Sequence, residues 1–353
     1  MSLQAEVRST TAETPAGPIA PHIAAFDAGL VPAAATCRLG ESVLHLRPTH
    51  ADGMREVHVR WSLHGVADAP VVIVQGGISA DRRVCAAAGE PGWWDGVAGE
   101  GCAIDPRRHR ILSIDWLSCA DLGGALAVTS HDQADAIAAI LDVLGIRRAH
   151  AFVGASYGAM VGLAFASRHP QRVGRLVAIA GAHRAHPLSI ALRNIQREVV
   201  RLGARFGETA AGLDLARRLA MTTYRGEREF AERCVDAPRF EQGRFRFAEE
   251  AWLAAAGARF AQRFDAERYV ALSESIDLHA VAPEDVRVPT TIVGIASDRV
   301  VPLADLCELQ RRCGAVATLH VIDSRYGHDA FLKEPVQIGA VLQEALDTTG
   351  VPR

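Results

Sequence analysis

The chain has 353 residues, room for two domains or for one large α/β domain with an insertion. With 38 Lys+Arg against 41 Asp+Glu the formal net charge is −3, which argues against a generally basic nucleic-acid binder, and 49% apolar with 22% charged residues argues against disorder. No apolar stretch reaches the roughly 18 residues of a membrane span, and seven scattered cysteines form no obvious disulfide framework, which points to a reducing cytoplasm.

Residues 1 to about 36 are rich in Ala, Pro, Thr and Ser without a sustained period, and the segment 1–40 reads as a flexible N-terminal arm. It lacks the basic start and apolar core of a signal peptide. ESVLHLRP and REVHVRWSLHG then alternate as two half-buried strands, a hairpin at a sheet edge. PVVIVQGG is a near-continuous Val/Ile run, as expected of a strand buried on both faces, and RILSIDWL, AHAFVGAS, RLVAIAG, PTTIVGIAS and ATLHVIDS follow in the same style. Helical periodicity covers residues 133–144, 157–168, 303–313 and 335–346. Alternating strands and helices predict an α/β fold with a mostly parallel sheet covered on both faces. Between about 182 and 289 there are amphipathic helical patterns and no convincing strand. The predicted division is a core of residues 41–183 and 286–353 with a helical cap at 184–285.

The sharpest motif is Gly154-Ala155-Ser156-Tyr157-Gly158, a G-x-S-x-G directly after a strand and directly before a small-residue helix. That context fits a nucleophile elbow on an α/β-hydrolase fold, against the plainer reading of an ordinary strand-to-helix turn. A serine nucleophile needs a base and the base needs an orienting carboxylate, in the chain order Ser, acid, His. Asp298 follows the strand TTIVGIAS, and His328 follows the last strand in the loop Arg325-Tyr326-Gly327-His328. Asp323 and Asp115 are competing acids; the first stands only five residues before the histidine and the second precedes the serine. For an oxyanion hole, one N–H is expected from Tyr157 and the other from the loop after PVVIV, assigned to Gly77 with Gly76 and Ile78 as alternatives; a plain tight turn is an equal reading of that loop. No P-loop or dinucleotide fingerprint appears, and His183 and His186 lack nearby partner ligands, so neither a cofactor nor a metal is expected.

From about residue 41 onward the sequence resembles the homoserine O-acyltransferases of the α/β-hydrolase fold. The segment GWWDGVAGEGCAIDPRRHRIL, the elbow GASYGAM, the cap stretches NIQREVV, MTTYRGEREFAERC and RFAQRFDAERYVALSESIDL, and above all YGHDAFL carry the resemblance. It implies acyl transfer from an acyl-CoA co-substrate to an amino-acid hydroxyl, usually homoserine's, through an acyl-serine. It also implies a role in methionine biosynthesis and a homodimer through the cap, with no nucleic-acid or membrane partner. By position, Arg197 matches the residue expected to hold the substrate carboxylate and Asp329 the one expected to hold its ammonium. Tyr157 and Ala159 stand where the family usually has Met and Gly, and the loop after SIDWL is short. Both departures lie near the acyl pocket, and the short branch leans toward succinyl-CoA over acetyl-CoA. An esterase or thioesterase with the same triad, a serine acceptor, or a non-catalytic binding protein are the other readings.

Arg193, Arg197, Arg201 and Arg205 recur every four residues on the first cap helix. The stripe is either a solvated face or a seat for anionic substrates.

Overall fold

The computed structural model describes residues 35–347. Most of the predicted N-terminal arm, residues 1–34, lies outside them. The strands are β1 (Thr36–Leu46), β2 (Arg55–Gly65), β3 (Val71–Gln75), β4 (Arg110–Ile114), β5 (Ala151–Ala155), β6 (Leu176–Ile179), β7 (Arg239–Glu241), β8 (Arg244–Arg246), β9 (Thr290–Ile295) and β10 (Ala317–Ile322). The helices are α1 (Ser130–Val143), α2 (Tyr157–Arg168), α3 (Pro187–Arg205), α4 (Thr209–Tyr224), α5 (Glu227–Arg233), α6 (Ala248–Ala261), α7 (Ala266–Asp277), α8 (Leu303–Arg312), α9 (Ala330–Lys333) and α10 (Pro335–Asp347). Eight strands form one sheet in the order β1-β2-β4-β3-β5-β6-β9-β10. Only β2 runs against its neighbours.

The period of two explains the layers. Ile73, Leu112, Phe152, Leu176 and Ile292 point to one face, into the core shared with α1, α2 and α8. Their chain neighbours Val72, Ile111, Val153, Val177 and Val293 point to the other, where Trp94 and Ile338 and Leu342 of α10 cover them. Strands buried on both sides must read as unbroken apolar runs, which is why the sequence showed them.

Two boundaries and one added hairpin differ from the sequence reading. β1 starts at Thr36, five residues before Glu41, because it pairs along its whole length with β2, Thr36 opposite Gly65. The last residues assigned to the arm are therefore strand. α1 starts at Ser130, because Thr129 and Asp132 form a reciprocal capping box ahead of the apolar period. Between β6 and β9 the chain makes five helices, α3 to α7, which include a small core of Val200, Leu213, Ala216 and Tyr269. It also makes the short hairpin β7–β8, whose turn residues Gln242 and Gly243 both have positive φ, as a tight two-residue hairpin turn requires.

Among the described residues no helix is long and apolar enough to cross a membrane. All seven cysteines are free thiols.

Candidate active site

The nucleophile turn follows from three residues. β5 ends at Ala155 and α2 begins at Tyr157, so Ser156 alone must reverse the chain, at φ 56° and ψ −116°. That is a strained backbone for a residue with a Cβ. The turn closes only because its flanks are glycines: a Cβ on Gly154 would overlap the Gly158 carbonyl, and one on Gly158 would overlap the Gln75 carbonyl. The Gly158 N–H donates to the Gly76 carbonyl at 2.9 Å, which ties the elbow to the loop after β3.

Three sheet ends then converge. Ser156 Oγ lies 2.8 Å from His328 Nε2, and His328 Nδ1 lies 2.7 Å from Asp298 Oδ2. The other carboxylate oxygen, Oδ1, accepts the N–H groups of Val300 at 2.7 Å and Val301 at 3.0 Å. Asp298 is thus fixed from both sides. The competing acids are elsewhere. Asp323 is exposed, and Asp115 is engaged by Arg60 and Arg82.

His328 is buried, and burial alone would lower its affinity for a proton. The charge of Asp298, its hydrogen bond, and the nearby Asp329 act the other way and prevail, so His328 titrates above its ordinary value. A base must be neutral to take a proton. Serine acylation is therefore expected to fall with decreasing pH through an apparent pKa above about 6.5, the unperturbed histidine value. Asp329→Asn should move that limb to lower pH, since it removes a charge that favours the imidazolium. The acylation rate followed against pH checks both; an acid limb centred well below pH 6.5 in the unmodified protein contradicts the electrostatics.

Gly77 and Tyr157, the two expected oxyanion donors, lie in the loop after β3 and at the start of α2. The Gly77 carbonyl accepts the Trp116 indole N–H and the Ala80 N–H, each at 2.9 Å, which holds its loop in place. As the first residue of α2, Tyr157 has a backbone N–H with no intrahelical acceptor. Its side chain points elsewhere: the phenol meets Ser275 of α7 at 2.6 Å and the ring packs edge-on against Trp116. Burial pushes the phenol's pKa well up, so it stays neutral.

The two residues expected to hold an amino acid are both buried and both already paired. Arg197 donates to Ser273 Oγ at 3.1 Å and to Asp277 Oδ2 at 2.6 Å. Asp329 pairs with Arg225 at 2.9 Å. Arg225 also pairs with Glu229 at 3.1 Å, so cap residues are tied by charge to the loop of the base. That loop touches the cap backbone directly. Gly327, at φ 60°, lies against Gly226 and Tyr224, and a Cβ on Gly226 would overlap the Arg325 carbonyl. The Tyr224 ring sits 5.7 Å from the His328 ring.

The arginine stripe divides. Four residues turn a helix by about 400°, so the row drifts some 40° per step. Arg193 and Arg197 point inward to Asp277, at 2.6 Å each, whereas Arg201 pairs with Glu198 at the surface and Arg205 is exposed. The cavity beside Ser156 and His328 is walled by Tyr157, Met160, Ile276, Val300 and Val301, and Arg193 reaches it rather than Arg197. Sequence reasoning did not single out Arg193. The signal was present, since Ser189, Arg193, Gln196 and Arg197 fall on one inward face of α3 that is polar where a cap helix is ordinarily apolar. Among the described residues no three His, Cys, Asp or Glu side chains gather to hold a metal ion.

Comparison with known proteins follows the same lines. The alpha/beta hydrolase fold matches over residues 70–335. A homoserine O-succinyltransferase of Xanthomonas campestris pv. campestris is 50% identical over 313 residues, 88% of this chain and 84% of that protein. The chain belongs to the homoserine O-acyltransferases. A second member of that family, the homoserine O-acetyltransferase of Moorella thermoacetica, is 33% identical over 72% of this chain and 79% of its own. The crystal structure of homoserine O-acetyltransferase from Bacillus anthracis shares the fold at a TM-score of 0.75 and 18% identity, over 88% of this chain and 98% of that one. Esterase E22 does so at 0.78 and 18%, over 89% and 100%. The fold alone is therefore common to acyltransferases and esterases, and the closer sequence relatives separate them.

Proposed function

We propose that this acyltransferase moves an acyl group, succinyl in preference to acetyl, from coenzyme A to the hydroxyl of L-homoserine, by a ping-pong route through an acyl-serine. The observation that carries the chemistry is the unbroken relay from Ser156 through His328 to Asp298. The extensive likeness to a homoserine O-succinyltransferase supports the substrates.

Ser156 Oγ attacks the thioester carbon as its proton passes to His328 Nε2, and Asp298 stabilises the imidazolium. The N–H groups of Tyr157 and Gly77 receive the developing oxyanion. The C–S bond breaks, and the departing thiolate takes the proton from His328. Homoserine then enters, His328 takes its hydroxyl proton, and the alkoxide attacks the acyl-serine ester. Collapse returns the proton to Ser156 and releases the O-acyl amino acid. Water competes for the acyl-serine at about 55 M, so the acceptor must win by orientation, where effective molarities reach about 10⁵ M or more.

Arg197 and Asp329 are the proposed clamps on the amino acid's carboxylate and ammonium. The burial of both supports this, as do the place of Asp329 next to the base and the sharing of one Asp277 by two guanidiniums. The homodimer through the cap belongs to the same proposal. Phe206, Phe240 and Phe245 are exposed in that region, an apolar surface that pairing would remove from water.

The test follows free thiol from succinyl-CoA and acetyl-CoA, with and without homoserine or serine. A burst without acceptor, followed by steady release with homoserine, is the expected result; a ternary-complex rate pattern with no burst contradicts the acyl-serine route. Each clamp makes a charge-assisted contact of about 1.5–3 kcal/mol. Arg197→Ala and Asp329→Ala should therefore lower acceptor efficiency roughly 10- to 150-fold and raise free acid over product, with the burst kept. A normal acceptor KM and product ratio in both would remove them from the site.

A further inference from the structure

A second and larger cleft, of about 980 Å³, lies between the loop after β3 and helices α4 and α6 of the cap. Eight arginines and three aspartates line it. Much of that charge is answered. Arg60 and Arg82 share Asp115, Arg83 lies near Asp81, Arg225 pairs with Glu229 and Asp329, and Arg268 pairs with Asp121. Asp265 is committed to capping α7, where it accepts the Arg268 N–H at 2.7 Å. Arg217 of α4, Arg259 of α6 and Arg263 just beyond it are left with no carboxylate partner among the described residues. Arg259 and Arg263 stand four residues apart, a spacing at which like charges repel. The C-terminal dipole of α6 offsets part of that cost, but Arg217 reaches the same cleft from another helix. One wall is aromatic. The Phe260 and Phe264 rings stack with centroids 5.0 Å apart, and the Arg217 guanidinium lies 4.8 Å over Phe260.

The geometry points to this cleft as the seat of the nucleotide end of the acyl donor, with the phosphates of coenzyme A on Arg217, Arg259 and Arg263 and its adenine against Phe260 and Phe264. This rests on the acyl-CoA reading above. Guanidiniums answer phosphate charge, and flat apolar rings beside cations suit a base. Neither homoserine nor a short acyl group has a use for such a combination. Two residues join the cleft to the chemistry. Ile78 lines it and directly follows Gly77. Arg225 lines it as well and holds Asp329, the neighbour of the base. The pantetheine arm, which carries no charge, would run between the thioester and this seat. Arg259 and Arg263 are exposed, so their attraction acts at the mouth of the site and is screened by salt.

The test compares acylation by succinyl-CoA and by succinyl-pantetheine, which has the same thioester and arm but no nucleotide. The unmodified enzyme should favour succinyl-CoA, and raising the ionic strength should erode the preference. Each screened surface contact contributes about two- to fivefold, so combining Arg217→Gln, Arg259→Gln and Arg263→Gln should lower the ratio of the two kcat/KM values roughly 10- to 100-fold. If that variant does not fold, the exposed pair Arg259→Gln and Arg263→Gln decides, with a smaller fall. Adenosine 3′,5′-bisphosphate should compete with succinyl-CoA, and less well in the variant. A fall in both donors with an unchanged ratio means a structural role and overturns the inference. So does an unmodified enzyme that takes the two donors equally well. Inhibition by inorganic phosphate as strong as by the nucleotide would show a general anion cleft and overturns it too. If neither donor gives a thiol burst with the unmodified enzyme, the acyl-serine reading itself has failed, an outcome separate from these.

Discussion

Ser156→Ala is expected to abolish the thiol burst and lower turnover by a factor on the order of 10⁴–10⁶, with the fold kept. The substitution removes one oxygen from a residue whose unusual backbone is imposed by Gly154 and Gly158 around it. Alanine tolerates φ 56° no worse than serine does, so circular dichroism and melting should change little. Because Ser156 and His328 act as one unit, adding His328→Ala should cost little more. Residual activity near normal would mean that another group forms the covalent intermediate, or that none forms.

Asp298→Asn should cost about 10⁴ in turnover although it changes only one atom. In the native carboxylate, Oδ1 is committed to the N–H groups of Val300 and Val301, so Oδ2 faces His328. An asparagine in this place keeps its oxygen on those two donors and turns its NH₂ toward His328 Nδ1. The ring must then accept at Nδ1 and hold its proton on Nε2. That proton points at Ser156 Oγ, where a lone pair is needed. The rate of the burst at a pH above the histidine's pKa measures the loss. A burst within tenfold of normal would show that the tautomer is not set by Asp298.

The parts of this enzyme that the sequence revealed share a physical cause. Strands between two helical layers must be apolar at every position, so they stood out as Val/Ile runs. The elbow needs small residues at fixed offsets, and the acid and base sit at strand ends in a set chain order, so Ser156, Asp298 and His328 could be picked from linear spacing. What stayed hidden depends on partners distant in the chain. A four-residue period places four arginines on α3 but cannot say that Asp277, some eighty residues on, captures the first two. The pairing of Asp329 with Arg225 joins a loop to the cap across a similar gap in sequence and had no local signature. The start of α1 was legible in principle, since Thr129 and Asp132 spell out its cap, but the apolar period begins later and drew the boundary inward.

The close approach of Gly226 to Gly327 has a consequence for how such enzymes diversify. An inserted cap is commonly thought of as an accessory that one relative could lend to another. Here its backbone is the wall against which the base-bearing loop is moulded, and Arg225 fastens the two by charge. Grafting a foreign cap onto this core would therefore misplace the imidazole. Residues 224–229 and 325–329 pack as one unit, and a chimera that keeps them together should retain acylation where one that divides them loses it.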